Sequence, residues 1–329
     1  MNKLLTNQVK KHFGLTIRSS KNLSRISTVH VSKIITDQGI YLLKGKEEQE
    51  SRMRYIRAAQ QHLHEKKILI PREYLTVNGQ PYFTFENKRY ILQEWIKGKS
   101  PTVSSLENIL KLGKLIGRFH HRSLGFSPPA DCRAMGALDW ENEYQADKRR
   151  IDQWYKKHLR SDSPKIKWII RYCKRFSSRA EWAYQKLLAN SFYHEWKSYP
   201  DEQHYLCHGD YHPRNTMFQK NTPYLIDWED IRHDFVSKDI SRMHFMIMRK
   251  HKTFCPSRFE SFLQAYQQQN PLQSHELGLL YIDLSFPHMF ERFLRKSLYK
   301  KMNTNEVASF VKNEWKKTLY MCRKAKLYC

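Results

Sequence analysis

Glycine is the conspicuous shortage in this chain, 11 of 329 residues, against roughly 7% in average usage. Nowhere do the glycines fall as G-x-G-x-x-G or G-x-x-x-x-G-K-[ST], so the Rossmann and Walker nucleotide signatures are excluded. The six cysteines, Cys132, Cys173, Cys207, Cys255, Cys322 and Cys329, include no C-x-x-C pair and suggest neither a zinc site nor a disulfide framework. No apolar run approaches a membrane span; Met243–Met248 stops at Arg249. Two adjacent leucines, Leu4 and Leu5, are all the N-terminus offers toward a signal peptide, so synthesis and folding in the cytoplasm are expected. Acidic residues are also short, 32 against 58 Lys plus Arg, which leaves a formal charge of +26.

What is present is ample apolar material. Hydrophobic residues make up 40% and aromatics 13%, which excludes wholesale disorder, and 329 residues are enough for one two-lobed domain or two domains. The positive charge predicts attraction to polyanions or to acidic assembly partners that weakens with salt. The basic residues are dispersed and not interleaved with aromatics, so no specific nucleic-acid surface is indicated.

The pattern changes once along the chain. Thr28–Ile35 and Ile40–Leu43 flank Asp37-Gln38-Gly39 as a hairpin, and Tyr82–Phe85 and Tyr90–Ile96 bracket Glu86–Arg89 as another. Glu47–Glu65 between them is free of glycine and proline and reads as helix. From Ser104 onward Leu106, Ile109, Leu112, Ile116 and Phe119 recur at helical spacing. Further helical stretches are predicted at about 140–160, 164–195, 239–250, 257–268, 275–299 and 304–325. The division predicted is a strand-rich N-terminal lobe, 1–96, a joint at 97–101 and a helical C-terminal lobe, 102–329.

The segment 205–229 interrupts the helical lobe. His208-Gly209-Asp210-Tyr211-His212-Pro213-Arg214-Asn215 runs into one short strand, and a second ends at Ile226-Asp227. Pairing Gln219 with Tyr224 puts Thr216 opposite Asp227, with Asn215 one step beyond, so an amide oxygen and a carboxylate oxygen converge as Mg²⁺ requires. Asp210, five residues before Asn215, faces the same open end as the proton acceptor for an attacking hydroxyl. D-x-x-x-x-N followed by an aspartate after one hairpin matches the catalytic loop and metal aspartate of the protein-kinase plan.

These residues resemble the aminoglycoside phosphotransferase and choline kinase group. With Asp239-Ile240-Ser241 and Leu284-Ser285-Phe286-Pro287-His288-Met289-Phe290, the likeness narrows to its spore-coat protein S branch, over about residues 28 to 300. The resemblance implies an α+β, two-lobed, protein-kinase-like fold that holds ATP and Mg²⁺ between a small strand-rich lobe and a larger helical one. It also implies a place in the coat of a bacterial endospore, beside other spore-coat proteins or acidic polymers.

Carried over residue by residue, it makes Asp210 the base, Asn215 and Asp227 the metal ligands, and Lys44 the lysine on the α- and β-phosphates. Glu50, ahead of Glu47 and Glu48, is expected to pair with Lys44. His208 is expected to brace the loop; Asp239 is either a helix N-cap or a second brace. Trp95 is either an adenine neighbour or ordinary core, and His120-His121 is read as a buried or capping pair. The loop Ser19–Arg25 departs from the family in having no glycine to approach phosphates; Ser24 and Ser27 could offer hydroxyls, Lys21 or Arg25 a charge. The expected activity is phosphoryl transfer to a hydroxyl of an unknown small molecule or coat component. The alternative is a silent structural protein with the same fold, assembling through its basic surface.

Overall fold

The computed structural model of the chain describes residues 1–24, 29–132 and 139–328. Arg25 and Ser27 of the glycine-poor loop lie outside the described residues. α1 (Lys3–Phe13) is capped by the Asn2 side chain, which accepts from Leu5 N–H at 2.8 Å, and ends at Gly14 in the left-handed region. β1 (Ile17–Asn22), β2 (Val29–Thr36) and β3 (Ile40–Lys46) follow, then α2 (Glu50–Glu65), β4 (Glu73–Tyr74), β5 (Phe83–Phe85) and β6 (Lys88–Glu94). The strands form one antiparallel sheet in the order β1-β2-β3-β6-β4, with β5 on β6.

Two-residue alternation gives this sheet two distinct faces. Ile34, Leu43, Tyr90 and Leu92 point to one side and bury against Leu5, Val9 and Phe13 of α1. Lys44 belongs to the other face, one residue along from Leu43. β1 corrects the expected loop over Ser19–Arg25: Lys21 pairs with Lys33 and Asn22 with Ser32. Its residues are mostly exposed and polar, so backbone pairing at the sheet edge holds a strand that has no apolar alternation to announce it.

The remainder is largely helical: α3 (Leu106–Ser123), α4 (Trp140–His158), α5 (Pro164–Leu188), α6 (Ser191–Lys197), β7 (Leu206–Cys207), β8 (Thr216–Gln219), β9 (Thr222–Leu225) and β10 (Arg232–His233), then α7 (Ser237–His251), α8 (Pro256–Gln267), α9 (Ser274–Ser285), α10 (His288–Arg295) and α11 (Thr304–Ala325). The predicted stretch 164–195 breaks at Asn190, whose side chain caps α6 by accepting from Tyr193 N–H at 2.7 Å. The stretch 275–299 breaks at Pro287, which cannot continue α9. α3 lies against α8 at close range, because Gly113 and Gly117 turn no side chain toward it. A Cβ at Gly113 would sit 2.6 Å from the Phe262 carbonyl oxygen, and one at Gly117 would collide with that of Tyr266.

Two compact units result, one of Met1–Ser100, Pro128–Ala134 and Arg214–Glu229, the other of Pro101–Ser127, Met135–Pro213 and Asp230–Cys329. The sequence division places Arg214–Glu229 with the helical part. In the structure β8 and β9 bond instead to the first unit: Lys99 bridges Phe218, and Leu225 N–H donates to Leu69 O at 3.0 Å.

Candidate active site

In the first unit, β3 delivers Lys44 from the face opposite α1. Its Nζ stands 2.6 Å from both Asp227 Oδ1 and Glu229 Oε1, with the lysine side chain 12% exposed. Burial alone would disfavour the ammonium, but the two carboxylates outweigh it and raise the Lys44 pKa above its ordinary value. Burial and the neighbouring Asp227 charge push Glu229 up, against the pull of Lys44. Glu50 is not the partner: it opens α2, is exposed, and pairs with Arg54 at 3.3 Å on its own helix. Glu48 pairs with Lys46 at 2.9 Å. Glu229 is the partner of Lys44 that the sequence argument missed, and the signal available was its position two residues beyond Asp227.

The β8–β9 hairpin has a two-residue turn, Lys220-Asn221, with Lys220 in the left-handed region. Gln219 therefore pairs with Thr222 and Thr216 with Leu225. The expected Gln219–Tyr224 register is two residues out, and Thr216 does not face Asp227. Asn215 is nevertheless brought to the open end, since its carbonyl accepts from Ile226 N–H at 3.0 Å and Asp227 is the next residue. Asp227 holds φ of 72°, a strained conformation for a residue other than glycine. Asn215 is buried and Asp227 is 43% exposed on its side chain. Amide and carboxylate oxygens are hard donors that Mg²⁺ accepts, so these two residues fit the expected ion.

A cavity of about 310 Å³ lies beside Lys44, lined by α2, β3 and β6, with Gln60, Glu73, Gln93, Trp228 and Glu229 on its walls. Burial raises the Glu73 carboxyl, which accepts from Gln93 Nε2 at 3.1 Å. Trp95 lies under the Lys33 ammonium, 4.8 Å from its ring centre. The Ser24 hydroxyl is engaged in the β1–β2 connection, accepting from Val31 N–H at 2.7 Å.

In the second unit, His208-Gly209-Asp210 is shaped by one carboxylate. Asp239 accepts from His208 N–H at 2.7 Å and from Gly209 N–H at 3.0 Å. Its third partner is His120, whose Nε2 lies at 3.2 Å. The opposite nitrogen, Nδ1, lies 2.9 Å from the Tyr266 hydroxyl. Burial would raise the Asp239 pKa, yet the His120 hydrogen bond and nearby charge hold it below the ordinary carboxylate value. Asp239 is thus a loop brace; α7 starts two residues before it, so it is no N-cap. His208 braces the loop too, its Nδ1 lying 3.4 Å from Asp210 N. Gly209 has φ of 81°, and a Cβ there would strike the Asp230 carbonyl. His120, read from sequence as a buried or capping histidine, is buried and joins Asp239 to Tyr266, and the cue to it was only its place on the apolar face of α3.

Asp210 is reached on both oxygens: Arg242 Nε donates to Oδ1 at 2.8 Å, and His212 Nε2 lies 3.2 Å from Oδ2. Partial burial would raise its pKa, but His212 and Arg242 hold it well below the usual carboxylate range. It is ionised at any ordinary pH, as an acceptor of a hydroxyl proton must be.

A model of the Phosphotransferase enzyme family matches residues 27–277. The chain belongs to that family. This family member is also 24% identical over 297 residues to Spore coat protein S of Bacillus subtilis (strain 168), covering 88% of this chain and 82% of the relative. Its fold matches an aminoglycoside phosphotransferase from Alicyclobacillus acidocaldarius with a TM-score of 0.74, at 14% identity, covering 100% of this chain and 94% of the other. Amicoumacin kinase hAmiN, solved with AMP-PNP, Ca²⁺ and Ami, gives 0.66 at 14% identity over 99% and 92%. Spectinomycin phosphotransferase, solved with ADP and spectinomycin, gives 0.60 at 14% identity over 100% and 98%. The expected likeness to spore-coat protein S and the kinase-like α+β fold are both borne out.

Proposed function

We propose that this chain transfers the terminal phosphoryl group of ATP, with Mg²⁺, to a hydroxyl of a small molecule or coat component in a bacterial endospore. The observation that carries the reading is Lys44, half-buried and held at 2.6 Å by both Asp227 and Glu229, a cation that phosphate oxygens would meet. Relatives in fold solved with AMP-PNP and Ca²⁺ or with ADP support a nucleotide and a divalent ion, and the relative from Bacillus subtilis supports the spore coat.

Lys44 holds the α- and β-phosphates, and Glu229 takes up its charge when the nucleotide leaves. Asn215 and Asp227 would hold the ion, which would supply charge neutralisation for the phosphates. Asp210 orients the acceptor hydroxyl and receives its proton. The acceptor's O–P bond forms as the bond from the γ-phosphorus to its bridging oxygen breaks, and nucleoside diphosphate leaves. Asp239, with His120 and His208, keeps the loop in shape. Cytoplasmic synthesis and attachment to other coat proteins or acidic polymers through the basic surface complete the proposal. Among the described residues no helix is long and apolar enough to cross a membrane.

The glycine-poor β1–β2 connection and the +26 charge favour a second reading, in which the chain is a silent kinase-fold component of the coat. Thermal unfolding with ATP and Mg²⁺, each alone and together, separates the two. Stabilisation that needs both, with nucleotide turnover, supports the enzyme; its complete absence leaves the scaffold.

A further inference from the structure

Cations that lie dispersed along the sequence gather on one face of the second unit. α5 carries seven Lys and Arg and one acidic residue, Glu181, and packs along α11. Two of its rings tie the helices together. Trp168 lies under both the Arg171 guanidinium, 4.8 Å from the ring centre, and the Lys312 ammonium of α11 at 4.6 Å. Tyr172 lies under Arg175 at 5.3 Å and meets the Trp315 ring edge-on at 6.2 Å, one residue before Lys316. Arg171, Arg175, Lys312 and Lys316 are exposed, and among the described residues none of the four has a carboxylate within ion-pair distance. The acids of both helices are engaged elsewhere: Glu181 faces Lys148 of α4 at 3.7 Å, Glu314 is buried against Lys317 at 3.2 Å, and Glu306 closes the N-terminus of α11.

We propose that this α5–α11 face docks an extended acidic segment of another protein, with Asp or Glu at alternate positions. Arg171, Arg175 and Arg179 follow one another at intervals of four residues, so they line one stripe of the helix in steps of about 6 Å. In an extended chain every second side chain points the same way, in steps of about 6.6 Å. Alternate carboxylates therefore meet successive guanidiniums, and Lys312 and Lys316 offer a second row at the same step. Guanidinium forks take carboxylate oxygens in pairs. A single-stranded nucleic acid would add base stacking to charge, but the Trp168 and Tyr172 rings are already taken by cations. A second copy of the chain brings +26 of its own and is repelled. The inference rests on the attachment half of the proposed function, naming its surface and partner, and holds with or without phosphoryl transfer.

The test measures binding of the full chain to a fluorescent peptide of alternating Glu and Thr, by anisotropy at low and high salt. One fourfold variant, Arg171→Gln, Arg175→Gln, Lys312→Gln and Lys316→Gln, is set against another, Lys3→Gln, Lys10→Gln, Lys11→Gln and Lys97→Gln, which removes the same charge from exposed positions of the first unit. The expected result is saturable binding that weakens as salt rises, falls at least tenfold in the α5–α11 variant and less than threefold in the other. A peptide of the same composition with its glutamates in one block should bind several-fold more weakly. Should the α5–α11 variant fail to fold, Arg175→Glu alone, at an exposed position, should still lose at least fivefold. Equal losses in the two fourfold variants would reduce the face to diffuse charge and overturn the proposal. So would tighter binding of an oligothymidylate of equal charge, equal binding of the two peptides, or self-association of the chain that the α5–α11 variant abolishes. Thermal shift with ATP and Mg²⁺ is read in parallel: peptide binding without any nucleotide effect would remove phosphoryl transfer alone, and the reverse would remove this inference alone.

Discussion

His120 and Asp239 meet at 3.2 Å with both side chains fully buried, one from α3 and one from α7. The carboxylate they share with His208 and Gly209 is what fixes the loop before Asp210. Asp239→Ala would strand those two backbone N–H groups and the imidazole in the core, at a cost of about 3 kcal/mol or more. Urea unfolding should show the loss, and Asp239→Asn, which keeps the shape but not the charge, should lose less.

Gly209→Ala is expected to be as damaging as a large core truncation, although it adds only a methyl group. The residue has positive φ, and the new Cβ meets the Asp230 carbonyl, a backbone group that cannot swing aside. About 2 kcal/mol or more of destabilisation is expected, with displacement of Asp210. Unfolding midpoints indistinguishable from wild type would show that the loop tolerates another path.

Lys44→Met should remove nucleotide-dependent stabilisation. It also leaves Asp227 and Glu229 as two neighbouring negative charges without a counter-ion. Glu229→Gln should weaken nucleotide binding several-fold, whereas Glu50→Gln, at an exposed helix start, should change stability by no more than about 0.5 kcal/mol and leave nucleotide binding intact. Equal effects at Glu50 and Glu229 would return the pairing to α2.

Asp227→Asn and Asn215→Ala should each abolish the metal-dependent part of nucleotide stabilisation, because an ion held by few protein oxygens tolerates little loss. Asp210→Asn should keep nucleotide binding and lose transfer. Product formation retained in Asp210→Asn would remove the residue from its assigned role.

Stability should fall on both sides of about pH 6.5. Burial lowers His120 and pushes His244 down to about 3, so below about pH 6.5 the unfolded chain binds protons that the folded chain refuses. That contribution is present above the ordinary histidine pKa and lost as pH falls. His288 has the opposite sign: burial lowers it, but Asp283 and Asp147 hold it up to about 9. Its contribution is complete below the ordinary value and lost as pH rises through about 9. His244→Phe, which suits the neighbouring Phe254 and Phe259 rings, should flatten the acid limb, and His288→Gln the alkaline limb.

The residues proposed to carry chemistry were legible because they travel in one short run, Asp210 to Asp227, at the spacing of the protein-kinase plan. The helices were legible wherever one face is apolar, as in α3. What escaped depends on contacts distant in sequence. β1 has no pattern of its own and exists through its pairing with β2; Glu229 became the partner of Lys44 only once β3 and the end of the hairpin met. The register differs because Lys220-Asn221 makes a two-residue turn where pairing Gln219 with Tyr224 needs four residues; Pro223 instead pairs with Phe218. His120 gave no sign of its duty, since Asp239 and Tyr266 lie 119 and 146 residues away.

The glycines in α3 set a mechanical tolerance. Gly117 rests against the Tyr266 carbonyl, and the hydroxyl of that same tyrosine lies 2.9 Å from His120. Helix separation, ring position and loop shape are therefore links of one lever: α8 displaced by the thickness of a methyl group would pull Tyr266 from His120, tilt the ring on Asp239 and shift the backbone at 208–209. A chain could keep every residue from His208 to Asn215 and still lose the alignment of its loop through a change at Gly117. Relatives that share the motif should accordingly be sorted into working and silent members by the α3–α8 contact as much as by the motif itself.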